Sequence, residues 1–167
     1  MSRAKTPTRV LSLCPTHRGI GCAVMEAPTE LVDWGVKSAR MREIRATLAK
    51  VAELIEHYSP EVVLLEDFAR YGSRRCQRVK RLLAAIRSLA ARRHVSTASI
   101  PLQRVRQMFV AYGATTKHQI VQAIAKQLPD LALHLPRRRK PWMNEDYWMP
   151  SFDAVAFALT YFNARVL

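Results

Sequence analysis

Tyr58-Ser59-Pro60-Glu61-Val62-Val63-Leu64-Leu65-Glu66 joins two kinds of periodicity. Upstream of it Ile44, Leu48, Val51, Ile55 and Tyr58 recur at helical spacing. The helix they predict must end before Ser59-Pro60, because the residue ahead of a proline is driven out of the helical region. Downstream, Val62 to Leu65 is an unbroken apolar run. A run this short and this rich in valine and leucine suits a strand buried on both faces, as in the parallel part of a sheet covered by helices. Glu66 is then a carboxylate carried at the end of a buried strand.

Toward the N-terminus, Val10 to Cys14 and Ile20 to Glu26 read as strands joined by Pro15-Thr16-His17-Arg18-Gly19. Leu31 to Lys37 alternates weakly enough to be a third, and the three make a meander. Toward the C-terminus a helix is predicted from Arg74, with Val79, Leu82, Leu83, Ile86 and Ala90 on one face and Arg74, Arg78 and Arg81 along another. Val95 to Ile100 fits a fifth strand, Leu102 to Val110 a helix and Tyr112-Gly113 a turn. Thr116 and Gln119 form a capping-box pattern ahead of the apolar stripe Ile120, Ile124, Leu128. Pro136 to Pro141 encloses Arg137, Arg138, Arg139 and Lys140 and predicts an irregular basic loop. Pro150 is placed to open a last helix whose apolar face is Phe152, Val155, Ala156 and Leu159. The order predicts an α/β fold: a mixed five-stranded sheet, three antiparallel strands and then parallel ones, with helices on both faces.

Composition narrows the partner. At 167 residues the chain can bury one substantial core, and one domain over 9–167 is expected after a basic tail, 1–8. Its 27 Lys+Arg stand against 13 Asp+Glu, a formal charge of +14, which implies a densely anionic partner. From Phe68 to Pro129 no acidic residue occurs, while Arg74, Arg75, Arg78, Arg81, Arg87, Arg104, Arg106 and Lys117 all fall there. Soluble surfaces usually mix signs, so nucleic acid is the expected partner and a small-molecule substrate is not. The basic start Met1 to Arg9 runs into an apolar segment shorter than a signal-peptide core. No stretch approaches the roughly 20 apolar residues that span a bilayer, so a cytoplasmic location without a membrane partner is expected. Cys14, Cys22 and Cys76 include no CxxC pair and make no zinc spacing with the histidines. They are expected to be reduced and to serve packing.

Four segments, in order, resemble the RuvC-type Holliday-junction resolvases of the ribonuclease-H-like superfamily, over Val10 to Phe162. Leu13-Cys14-Pro15-Thr16 followed by Gly19-Ile20-Gly21 matches the frame of the family's first-strand Ile-Asp-Pro-Gly motif, with Cys14 where the family carries Asp. Tyr58-Ser59-Pro60-Glu61 through Glu66 reproduces its Tyr-x-Pro run ending in Glu. Val105-Arg106, Tyr112-Gly113-Ala114 and Lys117 to Gln122 are similar to its Val-Lys, Gly-loop and Lys-x-Gln-Val block. Ser151-Phe152-Asp153-Ala154-Val155-Ala156 resembles its Asp-Ala-Ala-Asp-Ala helix start, Asp153 on the second Asp and Pro150 on the first. The chain thus resembles a divergent member of that family that lacks the first-strand acid.

The resemblance implies a ribonuclease-H-like fold, a homodimer and phosphodiester hydrolysis in branched DNA by magnesium or manganese. Such ions take oxygen ligands from converging carboxylates. The implied catalytic residues are Glu66, Asp153 and a displaced acid, Asp146; Glu145 joins these as a metal ligand. Asp67 faces away from Glu66 if the strand continues, and His17 follows Cys14 closely enough to reach the same place. The thiol of Cys14 is a soft donor and a poor substitute for a carboxylate toward magnesium. Two readings therefore stand: a metal-dependent endonuclease of the Holliday-junction type, and an inactive DNA- or RNA-binding protein on the same fold. A basic structural protein coating nucleic acid is a third. The expected nucleic-acid contacts are Arg74, Arg75, Arg78, Arg81, Lys117 and Phe68, with Tyr71 beside Phe68 as a further stacking aromatic.

Overall fold

The structure, a computed structural model, describes residues 8–16, 19–38, 44–68 and 74–166, and of 74–76 and 166 the backbone alone. Most of the 1–8 tail, together with His17 and Tyr71, lies outside the described residues.

Five strands form one sheet in the order β3-β2-β1-β4-β5. They are β1 (Val10–Thr16), β2 (Gly19–Ala27), β3 (Glu30–Ser38), β4 (Val62–Glu66) and β5 (Ser96–Ile100). The first three are antiparallel, whereas β4 runs parallel to β1 and β5 parallel to β4. Helices α1 (Ile44–Tyr58), α2 (Arg74–Arg92), α3 (Leu102–Val110), α4 (Lys117–Gln127) and α5 (Met149–Val166) cover the two faces. This is the expected architecture, with local corrections. The meander strands run one or two residues past their predicted ends, because backbone pairing continues beyond the apolar run: Thr16 pairs with Gly19 and Gly19 with Ser38. The β5 strand starts at Ser96, one residue late. A short 3-10 helix over Pro129–His134 was not signalled by any apolar periodicity.

Residues of β1 alternate between two cores. Leu11 and Leu13 join Ile20, Cys22, Val24, Val63 and Leu65 under α1 and α2. Val10 and Cys14 join Ala23, Met25, Leu64 and the apolar face of α5 on the opposite side. Side chains two apart on a strand share a face, so Glu66, two beyond Leu64, projects to the same side as Cys14. That single parity argument brings the end of β1, the end of β4 and the start of α5 together.

The α1 helix stops as predicted. Ser59 takes a left-handed φ of 46° and donates its N–H to the Ile55 carbonyl at 2.9 Å, the αL type of helix ending. Arg9 then fastens this corner, donating Nη1–H to the Tyr58 carbonyl at 2.8 Å and Nε–H to Glu26 at 2.8 Å. At the far end, α4 carries the predicted capping box: Gln119 N–H donates to Thr116 Oγ1 at 3.2 Å, and Thr116 N–H to Gln119 Oε1 at 3.1 Å. The cap fixes Lys117 at the first position of α4. Cys14 and Cys22 are buried free thiols. Among the described residues no helix is long and apolar enough to cross a membrane.

Candidate functional site

A cavity of about 510 Å³ opens where β1 and β4 end, walled by α3, α4, α5 and the segment before α5. Cys14, Thr16, Glu66, Arg106, Lys117, Glu145 and Asp153 supply its polar lining, and Val105, Ile124 and Phe152 part of an apolar floor.

Lys117 is the hub. Its Nζ donates to Glu145 Oε1 at 2.6 Å and lies 3.2 Å from Asp153 Oδ2. Burial works against its charge, but Asp153 and Glu145 outweigh that and hold its pKa above the ordinary lysine value. At Glu66 the balance disfavours the charged form instead. Burial and the nearby charge of Asp153 push its pKa from 4.5 up to about 7, against the pull of Lys117 and Arg106. Asp153 is also raised, by burial first, with Lys117 opposing. Cys14 is 8% exposed; burial, then Asp153 and Glu66, drive its thiol well above the usual range, so it stands protonated.

The two acids of the segment before α5 part company. Glu145 reaches back to Lys117 and enters the cavity. Asp146 instead accepts the Trp148 N–H at 3.0 Å, and its carbonyl accepts that of Met149 at 3.2 Å. It thereby ties down the entry to α5 and lines a neighbouring groove. The structure thus groups Glu66, Asp153 and Glu145, and leaves Asp146 outside the group.

As arranged, these donors do not fit a two-ion centre. Among the described residues no three His, Cys, Asp or Glu side chains stand where they could hold one metal ion. A lysine ammonium bridges two of the three carboxylates, and the protonated thiol of Cys14, a soft group, lines the same cavity. Lys117 supplies positive charge directly to Glu145 and Asp153.

Of the expected nucleic-acid contacts, Arg78 and Arg81 are exposed on α2, whereas the side chains of Arg74 and Arg75 lie outside the described residues. Phe68 is half-buried and packs on the α1–α2 core, which engages the ring in packing. Arg106 was not singled out as a site residue. Its sequence signals are its place in the acid-free basic stretch and beside Val105 in the Val-Lys-like block, and it lines the cavity with a charge that reaches Glu66.

No protein-family model matches the sequence. Solved structures do. RuvC of T. thermophilus in complex with a Holliday junction substrate matches with a TM-score of 0.71 at 21% identity, over 95% of this chain and 96% of that one. The Thermus thermophilus RuvC structure matches with a TM-score of 0.67 at 21% identity, over 95% and 96% of the two chains. The yeast mitochondrial Holliday junction resolvase Ydc2 matches with a TM-score of 0.63 at 14% identity, over 99% of this chain and 82% of that one. The chain therefore has the ribonuclease-H-like fold of RuvC, and its structural neighbours are Holliday junction resolvases.

Proposed function

We propose that this chain is a branched-DNA-binding protein in which Lys117 stabilises the acid cluster of a resolvase-like fold. The observation that carries this reading is the ammonium of Lys117 on Glu145 and Asp153, in a chain of charge +14 whose fold matches a RuvC that holds a Holliday junction. Arg78, Arg81 and Arg106 follow the phosphates, an attraction that weakens as salt rises. One folded unit over 9–167, acting in the cytoplasm as a homodimer, fits a two-fold symmetric junction.

A second reading is a divalent-metal-dependent endonuclease on the same DNA. It is favoured by the burial of Glu66 and, after that, its repulsion by Asp153, which together raise its pKa to about 7; perturbed acids gathered in a cleft mark functional sites.

One experiment separates the two. A labelled four-way junction, a linear duplex and an RNA/DNA hybrid are incubated with wild type, Glu66→Gln and Asp153→Asn, with magnesium, manganese or chelator. The binding reading expects all three proteins to prefer the junction, with affinity falling steeply with salt, and none to cut it. Paired nicks that need metal and vanish in both variants would establish the endonuclease instead. Failure of wild type to bind any of the three would end both readings.

A further inference from the structure

The basic loop 136–141 has no part in the acid cavity, yet its residues form a braced turn. Met143 N–H donates to the Lys140 carbonyl at 3.0 Å, closing a turn whose second residue, Pro141, already has the backbone φ that position needs. Arg139 Nε–H donates to the Met143 carbonyl at 2.7 Å and braces the same turn. Trp142 stands at the tip, 78% exposed, with Lys140 Nζ at 5.5 Å from its ring centroid. Trp34 and Trp148, in contrast, are part-buried and meet edge to face at 5.3 Å. Leaving so large an apolar ring in water gains nothing for the fold.

Beside the turn runs a groove of about 660 Å³, lined by Arg137, Arg138 and Arg139 from the loop, by His118 and Gln122 of α4 and by Asn144 just after the turn. Lys117 and Glu145 line both this groove and the acid cavity, so the two adjoin at that pair.

We propose that the Lys140–Met143 turn is an aromatic finger that stacks on an unpaired base, while Arg137 to Arg139 hold the phosphates of that strand as it runs toward the acid cavity. The inference rests on the nucleic-acid reading above and adds a specific stacking site to it. Bases stack on an exposed aromatic whatever their identity, and cationic neighbours track the backbone. A basic turn with a tryptophan tip would also suit an anionic membrane surface. The polar groove lined by His118, Gln122 and Asn144 favours a strand, which can use hydrogen bonds along its length.

The test uses the full chain and an oligothymidylate strand, with an abasic strand of equal length as control. Trp142→Phe removes the exposed indole but keeps a stacking ring, and Trp34 and Trp148 remain as internal fluorophores. Strand binding should quench wild-type fluorescence, and most of that quench should disappear in Trp142→Phe while affinity is largely kept. Trp142→Ala should weaken strand binding about 5- to 100-fold, and on the abasic strand it should match wild type. Replacing Arg137, Arg138 and Arg139 with Gln should make the dependence of log affinity on log salt shallower, by about 0.7 in slope for each phosphate no longer neutralised. Equal binding and equal quench in wild type and Trp142→Ala, with junction binding intact, would remove the finger and leave the broader reading standing. No strand or junction binding by wild type would remove both. Tighter binding of wild type to phosphatidylserine vesicles than to the strand, abolished in Trp142→Ala, would reassign the turn to a membrane and overturn the proposal.

Discussion

Gly21 of β2 lies directly under Pro150 of α5, so close that a Cβ at position 21 would stand 2.3 Å from the proline's carbonyl carbon. Gly21 pairs with Cys14 across the β1–β2 ladder, and Pro150, the second residue of α5, stands three residues before Asp153 on that helix. The missing side chain therefore sets the height of the acid above the sheet. Gly21→Ala must lift the start of α5 or bend β2, since the obstructing atoms are the backbone and rigid ring of Pro150. Overpacking of this kind costs about 1–3 kcal/mol, and urea denaturation should show a lower midpoint. An unchanged midpoint would mean that α5 is not seated there.

The raised pKa of Glu66 makes a prediction about pH. Its folded value, about 7 against an ordinary 4.5, means that the folded state holds this proton more tightly. Between those two values the folded state carries more protons than the unfolded one, so stability falls as pH rises through that window and stays lower above it. Glu66→Gln abolishes the loss. In chelator the variant should equal wild type near pH 4 and exceed it by roughly 1–3 kcal/mol at pH 8. A variant less stable than wild type at pH 8 would show that the Glu66 charge is stabilising in place.

Much of this was legible in the sequence, for physical reasons. The Tyr58 to Glu66 stretch works because a proline stop and an unbroken apolar run are local signals, and they delivered both the end of α1 and the buried strand β4. Strand parity then placed Glu66. The segment before α5 was not legible, because its course is set by contacts distant in sequence. Lys117 captures Glu145 across 28 positions, while Asp146 turns to a backbone N–H two residues on. Local spacing cannot choose between adjacent acids whose partners lie so differently. Phe68 was read as a stacking aromatic from its place after Glu66, but apolar burial beside α1 and α2 claims part of its ring.

Ser12 is fully buried in β1, and its hydroxyl has no hydrogen-bond partner among the described residues. An unsatisfied buried hydroxyl costs free energy without compensation. Ser12→Ala removes the polar atom and almost no volume. It should leave stability unchanged or raise it by up to about 1 kcal/mol, read from the urea midpoint at constant slope. A clear loss would show that Oγ is bonded in solution, most simply by a trapped water.

Cys14 offers the most direct probe of why the acids close on a lysine. Its thiol is buried within reach of the charges of Asp153, Glu66 and Glu145, all of which oppose its ionisation. A carboxylate at this position adds negative charge to a cluster with one bridging cation, Lys117. Without metal, Cys14→Asp should therefore lose roughly 1–3 kcal/mol at neutral pH, the usual cost of burying a poorly compensated polar group. Part of that loss should return on acidification, as the cluster takes up protons. The same change adds a further hard oxygen donor to the cavity that Glu66, Asp153 and Glu145 line, the ligand chemistry that magnesium and manganese select. Thermal melts in chelator and in either metal should then show a metal-dependent rise in Tm for Cys14→Asp and little or none for wild type. An equal rise in both proteins would mean that the thiol is not what limits cation binding, and would shift weight from the DNA-binding reading to the endonuclease.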